Sequence, residues 1–256
     1  MTKLVLLVVA IAACAVEPQD GSPAGSSDDV PRIIANSLPP SSLAGSALAM
    51  AQLTTTSAAS MGATTNARKV LGYAVECALS DTQSVTFTVD GTTTTLTGIM
   101  GMVPAWTTRA LTWDEAAWVS ACVFARVNLT STSVVISARG SSAGLSTTSG
   151  ELSTYQVEEG AFWGNAFVDL GAITAYACNG VDQALDDSYG DLVVRQCAQW
   201  DEVPGSGLTP CGFHFTGACS DVCMTSAPPY GDCPYLSGKP RAQVVTTFLY
   251  GTPPYW

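Results

Sequence analysis

Between residues 64 and 128 the spacing of apolar positions changes period twice. In "TTNARKVLGYAVECALSD", Ala67, Val70, Leu71, Ala74, Val75, Ala78 and Leu79 recur at three- and four-residue intervals. That stripe predicts an amphipathic helix, with Thr65 as its N-cap. The period then drops to two: Val85, Phe87 and Val89 alternate with Ser and Thr, halt at Asp90-Gly91, and resume in "TTTTLTG". Asp-Gly tolerates the positive φ angles of a two-residue turn, so a β-hairpin is predicted. "LTWDEAAWVSACVFARVNL" returns to the helical period with apolar residues on every side, the mark of a buried helix. Thr112 and Glu115 form a T-x-x-E capping box at its start, and Asp114 suits the positive end of the helix dipole.

Further on, "STSVVISAR" predicts a strand whose Val134-Val135-Ile136 run belongs inside a sheet. "STYQVEEGAFWGNAFVDL" reads as a broken strand or a short helix, "GDLVVRQCAQW" as a strand, and "RAQVVTTFLYG" as a terminal strand. Residues 204–240 read as Cys-rich loops with several Pro turns. Together these give the fold class α+β: one disulfide-stapled domain over 64–256, with two core helices and a mainly antiparallel sheet.

Upstream, neither period holds. Leu38, Leu43, Leu48 and Leu53 stand five apart, and five residues advance an α-helix by about 500°, so they cannot share one helical face. Residues 35–63 read as a low-complexity spacer. The alternative is a pentapeptide-like coil of β-helix, for which four repeats make only about one turn. Residues 14–34, rich in Pro, Gly, Ser and Asp, read as a flexible tether. Before them, Lys3 and the apolar run Leu4 to Ala13 have the layout of a signal peptide over 1–13, too short to span a bilayer. Its end, Ile11 to Cys14, resembles a bacterial lipobox with Ile11 where Leu is usual. The resemblance implies lipidation at Cys14 and, with Ala15 and Val16 following, an outer-membrane location. Cleavage at Ala13-Cys14-Ala15 and free secretion is the alternative.

Export changes the meaning of the cysteines. Besides Cys14 there are eight: Cys77, Cys122, Cys178, Cys197, Cys211, Cys219, Cys223 and Cys233. An even set in an exported chain reads as disulfides, of open connectivity, although a bridge from Cys77 to Cys122 would staple the two predicted helices. A zinc set of Cys211, His214, Cys219 and Cys223 is the metal alternative, and it needs the reduced thiolates that an oxidising compartment disfavours. Once Lys3 is removed, 9 of the 10 basic residues face 21 acidic ones, a formal charge of −12. That field repels phosphate backbones and excludes nucleic acid as a partner.

One motif suggests catalysis. "GSSAG", Gly140–Gly144, fits the G-x-S-x-G elbow that presents a nucleophilic Ser between a strand and a helix. Ser142 would be the nucleophile and His214, the sole histidine, its base, with Asp169, Asp182, Asp186, Asp187, Asp191 and Asp201 between them in the required order. Against it, "LSTTSGELSTYQ" is β-branched and Gly-interrupted, a poor helix. Glu158 and Glu159 are adjacent carboxylates that a strand would point to opposite faces, with Glu159 expected to be exposed beside a packed Trp163. Asp182, Asp186, Asp187 and Asp191 offer carboxylates for calcium without an EF-hand layout, and read as a solvated acidic turn. Arg139, at the end of its strand, is expected to pair with a carboxylate.

As a set, "ECALSDTQSVTF", "WVSACVFARVN", "VVISARG", "EGAFWGNAF", "GACSDVC" and "VVTTFL" resemble uncharacterised exported proteins of myxobacteria, over roughly residues 35–250. The resemblance implies an exported, disulfide-bonded protein and supplies no reaction or site residues. Two functions follow for the chain: a lipid-anchored surface module that binds a glycan or protein, or a secreted serine hydrolase using Ser142 and His214.

Overall fold

A computed structural model describes residues 33–130, 133–181, 197–198, 207–234, 240–241 and 243–251. All of these belong to one unit, Pro31–Trp256. The signal peptide, Cys14, most of the tether, the acidic stretch Asp182 to Asp191, Asp201 and nearly all of "GDLVVRQCAQW" lie outside the described residues.

In chain order the elements are β1 (Ile33–Asn36), α1 (Pro40–Leu43), α2 (Thr55–Met61), α3 (Thr65–Ala78), β2 (Ser84–Val89), β3 (Thr92–Thr97), α4 (Trp113–Ala125) and β4 (Val134–Arg139). They continue as α5 (Ser149–Thr154), β5 (Val157–Asn165), β6 (Thr174–Asn179), β7 (His214–Ala218), α6 (Cys219–Val222), β8 (Cys233–Pro234), β9 (Pro240–Arg241) and β10 (Val245–Leu249). The fold is α+β. Six strands form one sheet in the order β1-β4-β10-β5-β6-β7, antiparallel at every pairing except β6 with β7. β4 is interior, as its apolar run predicts. β10 is not at the margin: it fills the slot between β4 and β5.

Alternation along β5 divides the core in two. Phe162 faces the main core, built with α3 and α4, while Ala161 and Trp163 face a smaller one made with the cysteine-rich segment. α4 starts at a complete capping box: Thr112 Oγ1 accepts from the Glu115 N–H, and Glu115 Oε2 accepts from the Thr112 N–H. The cap of α3 is Thr64 and not Thr65, because Thr64 keeps extended backbone while its hydroxyl accepts from the Ala67 N–H at 3.1 Å. The β2–β3 hairpin turns at Asp90 (φ 50°) and Gly91 (φ 76°). On its outer face Thr86 hydrogen-bonds Thr95 at 2.9 Å and Thr88 bonds Thr93 at 3.0 Å, cross-strand pairs that reinforce the register.

The reading of residues 35–63 as a spacer is overturned. Leu38, Leu43, Leu48 and Leu53 are all buried in the main core, and β1 is a strand of the sheet. Backbone bonds stitch the segment down: Leu111 N–H to Met50 O, Leu53 N–H to Trp106 O, and Val168 N–H to Leu48 O. The period of five arises because a winding chain dips inward once per bend. No separate coil forms, and the folded body begins well before residue 64. Two further corrections concern segments read as irregular. "SGELST" does form a short helix, α5, because Thr148 caps it through the Glu151 N–H. Within the C-terminal loops, β7 is a strand docked parallel on β6.

Candidate functional site

The G-x-S-x-G motif begins as an elbow should, with β4 running into Gly140. Beyond it the geometry diverges. Ser142 is extended (φ −70°, ψ 140°) and opens a single 3-10 turn, Ala143–Leu145, without capping it. The next helix, α5, does not start until Ser149, so no helix N-terminus follows the serine directly to supply an oxyanion hole. Gly140 and Gly144 serve packing: a Cβ on Gly140 would meet Leu145 and the Val244 carbonyl, and one on Gly144 would meet Met100 and Met102. His214 lies on β7, four strand spacings from β4, a lateral separation of roughly 19 Å at about 4.8 Å per strand. Its ring rests on Tyr176 (centroids 5.2 Å), which stacks on Trp163 (5.8 Å). Asp169 accepts from the Met50 N–H at 2.7 Å. The structure therefore does not bring Ser142 and His214 together, and the histidine belongs to an aromatic ladder across β5, β6 and β7.

The eight predicted cysteines form four bridges: Cys77–Cys122, Cys178–Cys219, Cys197–Cys211 and Cys223–Cys233. The first staples α3 to α4 as expected. The set Cys211, His214, Cys219 and Cys223 is dispersed over three bridges and a strand.

Glu158 and Glu159 do point apart, but neither is exposed (5% and 1%). A bulge in the pairing of β5 with β10 explains this: Phe248 pairs with Glu158 and Thr247 with Gly160, leaving Glu159 as the extra residue. The Tyr230 hydroxyl donates to Glu158 Oε1 at 2.7 Å, and the Thr247 hydroxyl donates to Glu159 Oε2 at 2.7 Å. Burial without partners would be costly, and these bonds offset it.

Arg139 reaches its carboxylate through an intermediary. Its Nε donates to Ser137 Oγ at 2.9 Å, and that hydroxyl donates to Glu151 Oε1 at 2.6 Å. Another guanidinium nitrogen donates to the Tyr155 carbonyl at 2.5 Å, and the guanidinium plane lies 3.7 Å over the Phe248 ring. Burial lowers the Arg139 pKa, opposed by the charge of Glu151. Burial also raises the Tyr155 phenol, with Glu151 and Tyr250 adding to it. Compared with family models, with curated proteins and with solved structures, this chain matches none.

The residues that hold Arg139 are buried, Ser137, Glu151, Tyr155 and Phe248 among them, and exposed side chains appear further along the same strands. Tyr250 is 76% exposed, with its ring set edge-on to Tyr155 (6.2 Å), and Val135 is 44% exposed one residue beyond the Leu249–Ile136 pair. Sequence reasoning flagged Arg139 but missed Ser137, Glu151, Tyr155 and Tyr250. Glu151 was findable, since Thr148 and Glu151 make the same T-x-x-E signature that marks α4. A separate cleft of about 200 Å³ lies between Trp113, Gly164, Asn165 and Tyr176, below the roughly 300 Å³ where small-molecule sites begin.

Proposed function

We propose that this chain is an exported, lipid-anchored interaction module and not an enzyme, and that it binds a glycan at the exposed Tyr250. The observation that supports this reading most is the exposed Tyr250 ring braced on Tyr155, the residue whose carbonyl also accepts from a half-buried Arg139 held by Ser137 and Phe248. A rigid aromatic ring accepts the C–H face of a sugar at small entropic cost, and a fixed guanidinium donates to hydroxyl or carboxylate oxygens. The layout of residues 1–14 supports the anchor at Cys14, and the resemblance to exported myxobacterial proteins is of a piece with it. The hydrolase alternative draws no support from a serine and a histidine separated by the breadth of the sheet.

The test uses the full chain. Wild type is expected to pellet with membranes and Cys14→Ser to remain soluble. On a glycan array, Tyr250→Ala is expected to weaken retention about tenfold or more with an unchanged far-UV spectrum. Equal retention by both proteins, or no retained glycan at all, overturns the reading. So does labelling by a fluorophosphonate that disappears in Ser142→Ala.

A further inference from the structure

Two bridges from distant parts of the chain meet sulfur to sulfur in the smaller core. Cys178 on β6 is bonded to Cys219 at the start of α6, and Cys223 directly after α6 is bonded to Cys233 on β8. The Cys178 and Cys223 sulfurs lie 4.0 Å apart, and those of Cys178, Cys223 and Cys233 all lie within 4.8 Å of one another. All four cysteines are buried, packed with Trp163, Tyr176 and Tyr230. We infer that this cluster has a second state, in which the four reduced thiolates hold one tetrahedral thiophilic cation such as Zn²⁺.

The geometry asks for little movement. A Zn–S bond of about 2.3 Å sets tetrahedral S···S edges of about 3.8 Å, and the Cys178–Cys223 gap already stands near that edge. Opening the two bridges lets Cys219 and Cys233 relax outward to the same separation. Cys219 and Cys223 have three residues between them across one helical turn, within the C-x₂₋₄-C spacing of structural zinc sites. Chemistry supplies the drive. Four thiolates without a counter-charge cannot persist in an apolar core, so a reduced cluster must either hold protons or exchange them for a divalent ion. Four of the other cysteines are engaged elsewhere, in the Cys77–Cys122 and Cys197–Cys211 bridges.

The two states interconvert with balanced stoichiometry. Each disulfide takes two electrons and two protons from a pair of reductant thiols, which become a disulfide, or two electrons from a phosphine, which becomes its oxide while water supplies the oxygen and both protons; either way it gives two thiols. The cation then displaces the thiol protons as the Zn–S bonds form. In reverse, a disulfide or peroxide oxidant removes four electrons, remakes two S–S bonds and releases the ion. The site is thus one that a change of redox compartment loads or empties.

The full chain, reduced without oxygen by a phosphine, is titrated with Co²⁺ and then Zn²⁺ while thiolate-to-cobalt charge transfer, native mass and far-UV circular dichroism are followed. The expected result is one ion per chain, with Zn²⁺ displacing Co²⁺. It should persist when Cys77, Cys122, Cys197 and Cys211 are all changed to Ser, and vanish in the double variant Cys178→Ser, Cys233→Ser. Where reduction alone unfolds the chain, the ion is expected to restore the folded spectrum in wild type. A reduced wild-type chain that takes up no stoichiometric ion and regains no structure overturns the inference. Undiminished binding by the Cys178→Ser, Cys233→Ser variant does the same.

Discussion

Glu115 closes the capping box of α4 and also takes both ends of the Arg109 guanidinium, at 2.7 and 2.5 Å. The Arg109 hydrogen bond, helped by the Thr112 N–H and outweighing burial, lowers the Glu115 pKa to about 2 from a usual 4.5. A carboxylate depressed on folding stabilises the protein above its unfolded pKa, and that contribution disappears as pH falls through the folded value. The Tm gap between wild type and Glu115→Gln is therefore expected to be full above about pH 4.5, to close between 4.5 and about 2, and to narrow in high salt because the pair is largely solvated. A gap independent of pH would refute the assignment. At this scale the sequence was legible wherever a residue acts on neighbours a few positions away, as Thr112 and Glu115 do. It was not legible where partners are distant in the chain. Glu159 looked like a surface acid because nothing nearby in sequence announces Thr247, and Ser142 looked like a nucleophile because the motif carries no information about where His214 ends up.

The elements repeat this division. α3, α4 and the β2–β3 hairpin each carry their own period, cap or turn, and each forms where the pattern places it. The leucines at 38, 43, 48 and 53 carry no period of either element, since the winding path that buries them is imposed by α3, α4 and the loop around Trp106. The indole Nε1–H of Trp106 donates to the Ala51 carbonyl at 2.9 Å, so a residue far along the chain fixes the course of this segment. Leu48→Ala is expected to cost about 2–5 kcal/mol in urea unfolding, the range for truncating a buried leucine. A change under about 0.5 kcal/mol, typical of surface sites, would restore the spacer. The proposed binding face was equally hidden: Tyr155 and Tyr250 come from separate segments and meet because β10 pairs with β5.

For the whole molecule, the disulfides divide the labour. Cys77–Cys122 joins the helical layer, whereas Cys178–Cys219 fastens the cysteine-rich segment to β6 and Cys223–Cys233 closes that segment on itself. The first encloses 45 residues, and a loop of that length corresponds to about 4 kcal/mol in the chain-entropy account. Replacing both Cys77 and Cys122 with Ala is expected to lower stability by about 2–4 kcal/mol by urea denaturation, and an unchanged midpoint would contradict it. The number of bridges and the α+β class were legible from composition and period. The pairing was not, because it depends on which strands become neighbours. The placement of β10 has a temporal consequence as well. Its slot between β4 and β5 stays vacant until residues 245–249 emerge, long after both neighbours have been synthesised. A nascent chain therefore cannot complete the six-stranded sheet before residues 245–249 are available.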